Sequence, residues 1–394
     1  MIERSTEVST VEGYLSRYPV VAIIGARQVG KTTLAHMIAK RWQGPVITFD
    51  LEESSDRARL TDPMLSLKPL QGLVVLDEIQ RLPEVYPTLR VLADRSRPRT
   101  RFLVLGSASP DLLRQSSESL AGRIVYHELK GLSLDDVGIR RQGQLWVRGG
   151  FPLSFLAKSN ALSYEWRRNF IRTFLERDLP QLGIQIPSET LRRFWTMVAH
   201  YHGQVWNASE FARSFGVADT TVRRYLDVMT STYVVRQLQP FSENLKKRQI
   251  KSPKIYVSDT GLLHTLLNLR DLTDLEGHPK VGASWEGFAI DAVTRQIDAR
   301  PEECYFWGTH AGAELDLVVV RGRRRWGFEI KRTVAPKVTR SMQVALKDLR
   351  LHSINVIHAG DDTFPLGKKI HAIALAQLTK KLEPLLRSAA RTTN

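Results

Sequence analysis

The stretch from Pro19 to Thr33, PVVAIIGARQVGKTT, constrains the fold of this chain more than any other feature. The apolar run from Val20 to Ile24 is typical of a buried strand in a parallel sheet. The next residues, from Gly25 to Thr32, satisfy the pattern G-x-x-x-x-G-K-[ST], and a helical pattern begins near Lys31. A strand, a glycine-bounded loop and a helix in this order predict a loop that binds phosphate groups.

The residue types in this loop suit nucleotide binding. Glycines let successive main-chain N–H groups converge on phosphate oxygens, and the helix directs the positive end of its dipole toward them. We expect Lys31 to reach the β- and γ-phosphates of ATP and Thr32 to hold Mg²⁺. The expected nucleotide-binding residues are Gly25, Ala26, Arg27, Gln28, Val29, Gly30, Lys31, Thr32 and Thr33.

Apolar runs alternate with helical stretches up to about residue 130, which predicts an α/β fold with a doubly wound parallel sheet. The third predicted strand delivers Asp77 and Glu78 at its carboxyl end. We expect Asp77 to support Mg²⁺ through its water shell, and Glu78 to orient or deprotonate the attacking water. The predicted strands are Val20–Ile24, Val46–Asp50, Leu73–Leu76, Phe102–Leu105 and Ile124–Glu128.

Two further residues are candidates for the same site. The fourth predicted strand runs into Gly106-Ser-Ala-Ser109, where Ser107 is a candidate sensor of the γ-phosphate. An ordinary turn serine is the open alternative. Arg123 is a candidate for stabilising transition-state charge across a subunit interface, because a guanidinium can act in trans. The sequence does not show which neighbour Arg123 faces.

Charge and hydropathy indicate the class of partner. The chain of 394 residues has 57 Lys and Arg against 41 Asp and Glu, a formal net charge of +16. That balance favours polyanionic partners, nucleic acid first and an anionic membrane surface second. No apolar run approaches the ~20 residues that span a bilayer. The N-terminus lacks an apolar secretory signal, and the one cysteine, Cys304, suits a reducing compartment, so we expect a cytoplasmic protein without a membrane span.

Motifs along nearly the whole chain are shared with a known family. They are GARQVGKTT, LVVLDEIQRLPE, FLVLGSAS, the segment Val147-Arg-Gly-Gly150-Phe-Pro152, and Phe174-Leu-Glu-Arg-Asp178. With these motifs the chain resembles AAA-type P-loop ATPases, and specifically a widespread prokaryotic family that pairs such a module with a C-terminal domain of unknown function. The resemblance implies ATP hydrolysis in a homo-oligomer.

A second informative stretch runs from Trp206 to Met229. Asn207 followed by Glu210 is typical of a capped helix start, and Gly216 lies where a helix-turn-helix needs its turn. A second helix begins near Asp219, with apolar residues at helical spacing that face inward. Short hydroxyls and arginines on its other face are able to reach DNA phosphates and base edges. These residues are Thr220, Thr221, Arg223 and Arg224.

Two predicted strands joined by a basic loop follow this helix pair, which is the layout of a winged helix. The strands are Tyr233–Phe241 and Ile255–Ser258. The loop contributes the candidate phosphate contacts Lys246, Lys247 and Arg248, each worth about 0.9 in the log–log slope of DNA affinity against salt. A winged helix that packs only against neighbouring subunits is the open alternative.

The last third of the chain contains acids in a nuclease-like pattern. Glu286 lies on a predicted helix, Asp316 on a predicted strand, and Glu329-Ile-Lys331 at the end of the next strand. This is how PD-(D/E)-x-K nucleases, with a restriction-endonuclease-like fold, hold Mg²⁺ and orient a nucleophile. Glu314, two residues before Asp316, is expected to be exposed and not to act as a ligand. The alternative is a nuclease-like fold kept as a binding platform.

Together these patterns predict four regions. Residues 1–140 form an AAA-type nucleotide-binding domain, 141–200 a helical connection, 201–260 a winged helix-turn-helix and 261–394 a restriction-endonuclease-like domain. The predicted function is a DNA-binding, oligomeric ATPase that remodels or translocates DNA. Two alternatives stay open: a Mg²⁺-dependent nuclease gated by ATP, and a nucleotide-switched DNA-binding regulator without nuclease activity.

Overall fold

The structure is a computed structural model that describes residues 2–95, 100–107, 120–242 and 250–382. The chain forms two compact units. The first comprises residues 1–132, 150–153 and 231–234, and the second comprises residues 133–149, 154–230 and 235–394. The division into four regions stays a prediction.

The first unit is built on a five-stranded parallel sheet in the order β2-β3-β4-β1-β5. Its strands are β1 (Val20–Gly25), β2 (Val46–Asp50), β3 (Gly72–Asp77), β4 (Thr100–Ser107) and β5 (Ile124–Glu128). The predicted parallel sheet is confirmed. Three strands are longer than predicted, because main-chain pairing continues past the apolar residues; Gly25, for example, still pairs with Ser107.

Both faces of this sheet are covered. Neighbouring residues of β1 alternate between two hydrophobic layers, with Val20 in one and Val21 in the other. Residues of the helix Val85–Ala93 lie in the first layer, and residues of the helices Ser5–Arg17 and Lys31–Arg41 lie in the second. Burial on two faces explains why the strands are continuous apolar runs. The other helical segments are Ser54–Arg59, Pro63–Leu67 and the 3-10 turn Ile79–Arg81.

The second unit contains a nine-stranded mixed sheet in the order β13-β14-β12-β11-β10-β9-β7-β8-β6. β7 pairs antiparallel with β8 and parallel with β9. Strands from the predicted winged helix therefore share one sheet with strands from the predicted nuclease-like region. The strands are β6 (Gln204–Val205), β7 (Val235–Pro240), β8 (Lys254–Val257), β9 (Cys304–Gly308), β10 (Glu314–Arg321), β11 (Arg324–Lys331), β12 (Ser353–His358), β13 (Phe364–Gly367) and β14 (Ile370–Ala374).

The remaining helices lie after residue 132 in the chain. The α-helices are Leu134–Val137, Gln142–Arg148, Pro152–Phe155, Asn160–Thr173, Leu179–Gln181, Ser188–His200, Ala208–Phe215, Asp219–Ser231, Thr260–Leu266, Leu272–Glu276, Val281–Gln296, Arg340–Asp348 and Leu378–Lys381. One π-helical turn, Phe174–Asp178, coincides with the FLERD motif. Among the residues that the structure describes, no helix is long and apolar enough to cross a membrane.

The helices Ala208–Phe215 and Asp219–Ser231 are separated by a short turn. The side chain of Asn207 accepts a hydrogen bond from the main-chain N–H of Glu210 at 3.4 Å, which starts the first helix as predicted. Gly216 ends it with φ +64°, a left-handed conformation that costs glycine little. The second helix buries Val222, Leu226 and Met229, as its spacing predicts.

Candidate functional site

Glycine shapes the loop between β1 and the helix Lys31–Arg41. Gly25 has φ +147°, and a Cβ atom there would lie 2.3 Å from the main-chain oxygen of Leu129. Gly30 has φ +103° and directly precedes the helix. Other residues rarely adopt these conformations, so the two glycines of the motif are required by the backbone itself.

The start of this helix suits an anion. Gly30 has no side chain to cap the free N–H groups, and the first turn contains no acid. The positive end of the helix dipole is therefore uncompensated by the helix's own residues. Free N–H donors beside a glycine-shaped loop fit a phosphate group, as the sequence motif predicts.

Lys31 is buried under this loop, with 7% of its surface exposed. Its ammonium donates hydrogen bonds to the main-chain oxygens of Gly25 at 3.1 Å and Ala26 at 3.0 Å. Burial lowers the pKa of Lys31 to about 8, because the carboxylates of Glu78 and Asp77 compensate the lost hydration only in part. A buried ammonium with too little counter-charge favours the arrival of an anion.

The strand order brings the phosphate-loop motif at Lys31 and Thr32 close to the acids at the end of β3. β4 lies between β1 and β3, so the carboxyl ends of these strands meet at one edge of the sheet. There the Thr32 hydroxyl donates to Asp77 Oδ2 at 2.7 Å. Burial raises the pKa of Asp77, against the hydrogen bonds from Thr32 and the main-chain N–H of Glu78. A hydroxyl and a carboxylate are oxygen ligands that Mg²⁺ prefers, so this pair fits the ion.

The other residues predicted for this site differ in what the structure shows. Glu78 has φ +53°, and its carboxylate accepts a hydrogen bond from the side-chain amide of Gln80. Ser107 ends β4, but its side chain lies outside the described part of the chain. Arg123 forms a two-pronged ion pair with Asp94 of the same chain, with Nη2 and Oδ2 2.9 Å apart. Its action in trans stays a prediction.

A second set of charged side chains lies in the nine-stranded sheet. Glu286 is on the helix Val281–Gln296, and Asp316 is on β10. Pairing of β10 with β11 joins Leu317 to Phe328, which places Asp316 beside Glu329 in the ladder. β10 is also irregular between Leu315 and Val318 where it pairs with β9. Such bulges change the direction of side chains, and this one includes the position of Asp316.

Hydrogen bonds fix the predicted nuclease-like residues. Asp316 Oδ2 accepts from the main-chain N–H of Ile330 at 2.8 Å. The ammonium of Lys331 lies 2.8 Å from Glu329 Oε1. Glu286 Oε1 accepts a hydrogen bond from the hydroxyl of Tyr256 at 2.6 Å. Glu314 is exposed, as expected.

The sequence did not identify Lys254, the first residue of β8, as part of this set. Its Nζ atom lies 3.4 Å from Glu286 Oε1 and 3.6 Å from Asp316 Oδ1. The only signal was a lysine at the start of the apolar strand KIYV, where burial requires a charged partner. The lysine and its partners are far apart in the chain, so sequence alone could not pair them.

Burial raises the pKa of Glu286 and of Glu329 to about 7, and the charge of Asp316 adds to both shifts. Burial lowers the pKa of Lys254, but Glu286, Asp316 and Glu314 outweigh it and hold that pKa above its ordinary value. Within the described ranges, no three His, Cys, Asp or Glu side chains are arranged to hold a metal ion. The predicted metal does not fit this arrangement.

The predicted DNA-contacting residues fall into two groups. On the helix Asp219–Ser231, Thr220, Arg223 and Arg224 are exposed and Thr221 is half-buried. The loop residues Lys246, Lys247 and Arg248 lie outside the described part of the chain. The winged-helix assignment and its contact with DNA stay predictions.

Comparison with known proteins divides the chain into three matched segments. A family model described as an AAA domain matches residues 17–137. Two models described as domains of unknown function, DUF8612 and DUF4143, match residues 139–273 and 281–378. The first match covers the sheet of the first unit, from β1 to β5. It identifies this part of the chain as a P-loop ATPase fold with a parallel central sheet.

Two curated relatives are similar along almost the whole chain. They are the uncharacterized protein Rv2008c of Mycobacterium tuberculosis and the uncharacterized protein Mb2031c of Mycobacterium bovis. Each is 50% identical over 378 residues, which is 96% of this chain and 85% of the relative.

Two solved structures are similar at lower identity. The Walker-type ATPase PABY2304 of Pyrococcus abyssi is 15% identical, with a TM-score of 0.48 over 68% of this chain and 96% of its own. The RuvB Holliday junction branch migration motor of Thermotoga maritima is 19% identical, with a TM-score of 0.29 over 60% of this chain and 90% of its own. Both scores are low, and we draw no activity from them.

Proposed function

This chain belongs to the same family as the uncharacterized mycobacterial proteins Rv2008c and Mb2031c, and we propose that it is an ATPase that remodels or translocates DNA. One observation carries the proposal. Lys31, Thr32 and Asp77 converge at the carboxyl ends of β1 and β3, with 2.7 Å between the Thr32 hydroxyl and the Asp77 carboxylate. The AAA-domain match over residues 17–137 supports the same assignment.

Each residue of the site has a proposed role. Bound magnesium ATP supplies the phosphoanhydride bond that is cleaved and the positive charge that screens its phosphates. Lys31 turns its ammonium from the carbonyls of Gly25 and Ala26 to the phosphate oxygens. Thr32 and Asp77 hold the metal side of the site through their oxygens. Glu78 orients the attacking water and accepts its proton.

The DNA-binding part of the proposal rests on charge. The chain has a net charge of +16, and Arg223 and Arg224 are exposed on the helix Asp219–Ser231 beside Thr220. Arginine and hydroxyl side chains on one helix face are suited to phosphate and base contacts. We propose that this helix binds DNA and that the protein works as a homo-oligomer in the cytoplasm, with Arg123 and Ser107 completing the ATP site.

The ATPase assignment is tested with Glu78→Gln in the full chain. This variant removes the base but keeps the size of the side chain, so ATP binding remains while turnover falls by about 100-fold or more. Glu84→Gln, an exposed acid in the segment that follows, is the matched control and keeps wild-type turnover. Normal turnover by Glu78→Gln would overturn the role of that residue.

The coupling to DNA is tested by measuring ATPase rate with duplex, single-stranded and junction DNA. We expect at least one form to raise the rate, and the mass of the protein to increase when ATP and magnesium are present. An ATPase rate that no nucleic acid changes would favour the alternative of a nucleotide-switched regulator. A mass that stays monomeric under every condition would exclude the oligomer and the trans role of Arg123.

A further inference from the structure

Glu78, the proposed base of the ATPase, has a main-chain conformation that residues other than glycine rarely adopt. Its φ and ψ angles are +53° and +46°, in the left-handed region. The Glu78 N–H donates to Asp77 Oδ1 at 2.9 Å, and its carbonyl oxygen accepts from the N–H of Arg81 at 2.9 Å. The next residue, Ile79, is fully buried. Strained backbone of this kind persists where the surrounding contacts hold it, and it is concentrated at active sites.

The main chain fixes where the Glu78 side chain begins, but not where its carboxylate points. A carboxylate at the end of a flexible side chain has to be held in one geometry to act on a water molecule. The side-chain amide of Gln80, in the 3-10 turn Ile79–Arg81, donates to Glu78 Oε2. An ionised carboxylate only accepts hydrogen bonds, so the amide nitrogen and not its oxygen must face it. Gln80 therefore fixes one oxygen of the proposed base.

The oxygen of the same amide shows what this contact costs. Gln80 Oε1 is buried and accepts no hydrogen bond from any described residue. A buried carbonyl without a donor is unfavourable, and in native proteins such a group needs an explanation, of which a catalytic role is one. The amide gives up the hydration of Oε1 while its nitrogen donates to Glu78. This favours a role directed at Glu78 over a role in stabilising the turn.

We infer that Gln80 is a positioning residue for ATP hydrolysis, whose amide nitrogen holds the Glu78 carboxylate in the orientation that accepts a proton from the attacking water. The inference rests on the proposed ATPase function and deepens it. The oxygen of the water bonds to the γ-phosphorus, its proton passes to Glu78, and the bond from that phosphorus to the leaving oxygen of ADP breaks. Gln80 exchanges no proton and acts only through the geometry of Glu78.

The first experiment replaces Gln80 with methionine in the full chain, which keeps the length of the side chain and removes its donor. We expect kcat for ATP to fall about 10-fold or more, because a misplaced base acts poorly. The affinity for a fluorescent ATP analogue with magnesium stays within about twofold of the wild type. The nucleotide-free variant keeps its melting temperature within about 3 °C. Gln43→Met is the matched control and keeps wild-type turnover, since Gln43 is exposed.

A double-variant comparison separates positioning of Glu78 from an independent or structural role. Single-turnover hydrolysis is measured for Glu78→Gln, for Gln80→Met and for both changes together. If Gln80 acts through Glu78, the double variant is as slow as Glu78→Gln alone, within about twofold. Gln80→Asn keeps an amide but is one methylene shorter. We expect it to be slow as well, so it carries the test if Gln80→Met does not fold.

Three results would overturn the inference and leave the proposed ATPase in place. They are wild-type turnover in folded Gln80→Met or in Gln80→Asn, effects that multiply in the double variant, and a loss of ATP affinity as large as the loss of turnover. Each of them is read against a slow Glu78→Gln variant. Normal turnover by Glu78→Gln would instead contradict the proposed role of Glu78, and the inference with it.

Discussion

Two regions of the chain each bury a lysine near acids, and the two lysines differ in charge balance. Lys31 donates to main-chain carbonyls, and burial lowers its pKa to about 8. Lys254 lies between two carboxylates, and its pKa stays above the ordinary value despite burial. The two lysines are alike in burial and differ in the charges around them.

The difference shows which of the two sites is prepared for a ligand. An ammonium that lacks counter-charge is stabilised by an incoming phosphate, so the Lys31 site gains from binding an anion. An ammonium that two carboxylates already neutralise is not stabilised further by an anion. It also competes with any cation for the same acids. Charge balance therefore separates the proposed nucleotide site from the nuclease-like cluster more clearly than the motifs do.

The largest expected effect is the loss of ATP turnover in Lys31→Ala. Removing one preorganised donor to developing phosphate charge lowers kcat on the order of 10³-fold. Lys40→Ala is the matched control, because Lys40 is exposed on the same helix. Steady-state phosphate release measures the effect. If Lys31→Ala turned over ATP within a factor of a few of the wild-type rate, the proposed role of Lys31 in binding phosphate would be wrong.

The next prediction compares how replacing each lysine changes the free energy of unfolding. Lys254→Met leaves Glu286 and Asp316 buried without their cation, which lowers the free energy of unfolding by about 3 kcal/mol. Lys31→Met removes an under-compensated charge and is expected to leave the nucleotide-free protein unchanged or more stable. Urea denaturation at pH 7 measures both.

Lys347→Met is the control for the lysine-to-methionine change, since Lys347 is exposed on the helix Arg340–Asp348. We expect this control to stay within about 0.5 kcal/mol of the wild type. Equal destabilisation by Lys254→Met and Lys31→Met would mean that charge balance does not distinguish the two sites.

The first unit could be predicted from the sequence to a large extent. Its strands are buried on both faces, so apolar runs such as Val20–Ile24 mark them directly. The ends of the strands were less predictable, because main-chain pairing extends through Gly25 and Asp77 regardless of hydropathy. Local patterns were sufficient here, since the motif at Lys31 and the acids after β3 belong to short, contiguous segments.

The second unit could be predicted only in part. The helix pair around Gly216 and the strand that carries Asp316 follow local spacing. The role of Lys254 depends on pairing between β7 and β9, which joins segments far apart in the sequence. Register between distant strands is set by tertiary packing, and no local pattern encodes it. The nuclease-like motif therefore indicated acids that lie near one another in the sheet, and it missed the buried lysine beside them.

A smaller effect tests a buried group that has no counter-charge. Burial lowers the pKa of His264 to about 3, and its Nε2 atom accepts from the Ser284 hydroxyl at 2.7 Å. The unfolded chain binds the proton near pH 6.5, so between about pH 6.5 and 3 it holds more protons than the folded protein. Stability from this group is present above pH 6.5 and falls as the pH is lowered, by at most about 1.4 kcal/mol per pH unit.

The difference in unfolding free energy between the wild type and His264→Asn isolates this group from carboxyls that titrate in the same range. We expect that difference to shrink from pH 7 to pH 5, measured by urea denaturation. His200→Gln is the control, because His200 is exposed and its replacement leaves the pH dependence unchanged. A constant difference across this range would show that His264 stays charged or unburied.

The smallest expected effect concerns exposed arginines, whose charge is hydrated in the free protein. Arg223 is exposed on the helix Asp219–Ser231, so its charge costs the free protein nothing and becomes useful only against a phosphate. If it contacts DNA, Arg223→Ala reduces the log–log slope of affinity against salt by about 0.9 and weakens all sequences alike. Arg168→Ala, another exposed arginine on a different helix, leaves the slope unchanged. Equal slopes for the wild type and Arg223→Ala would place the DNA contact elsewhere, because counterion release depends on the phosphates neutralised and not on net charge.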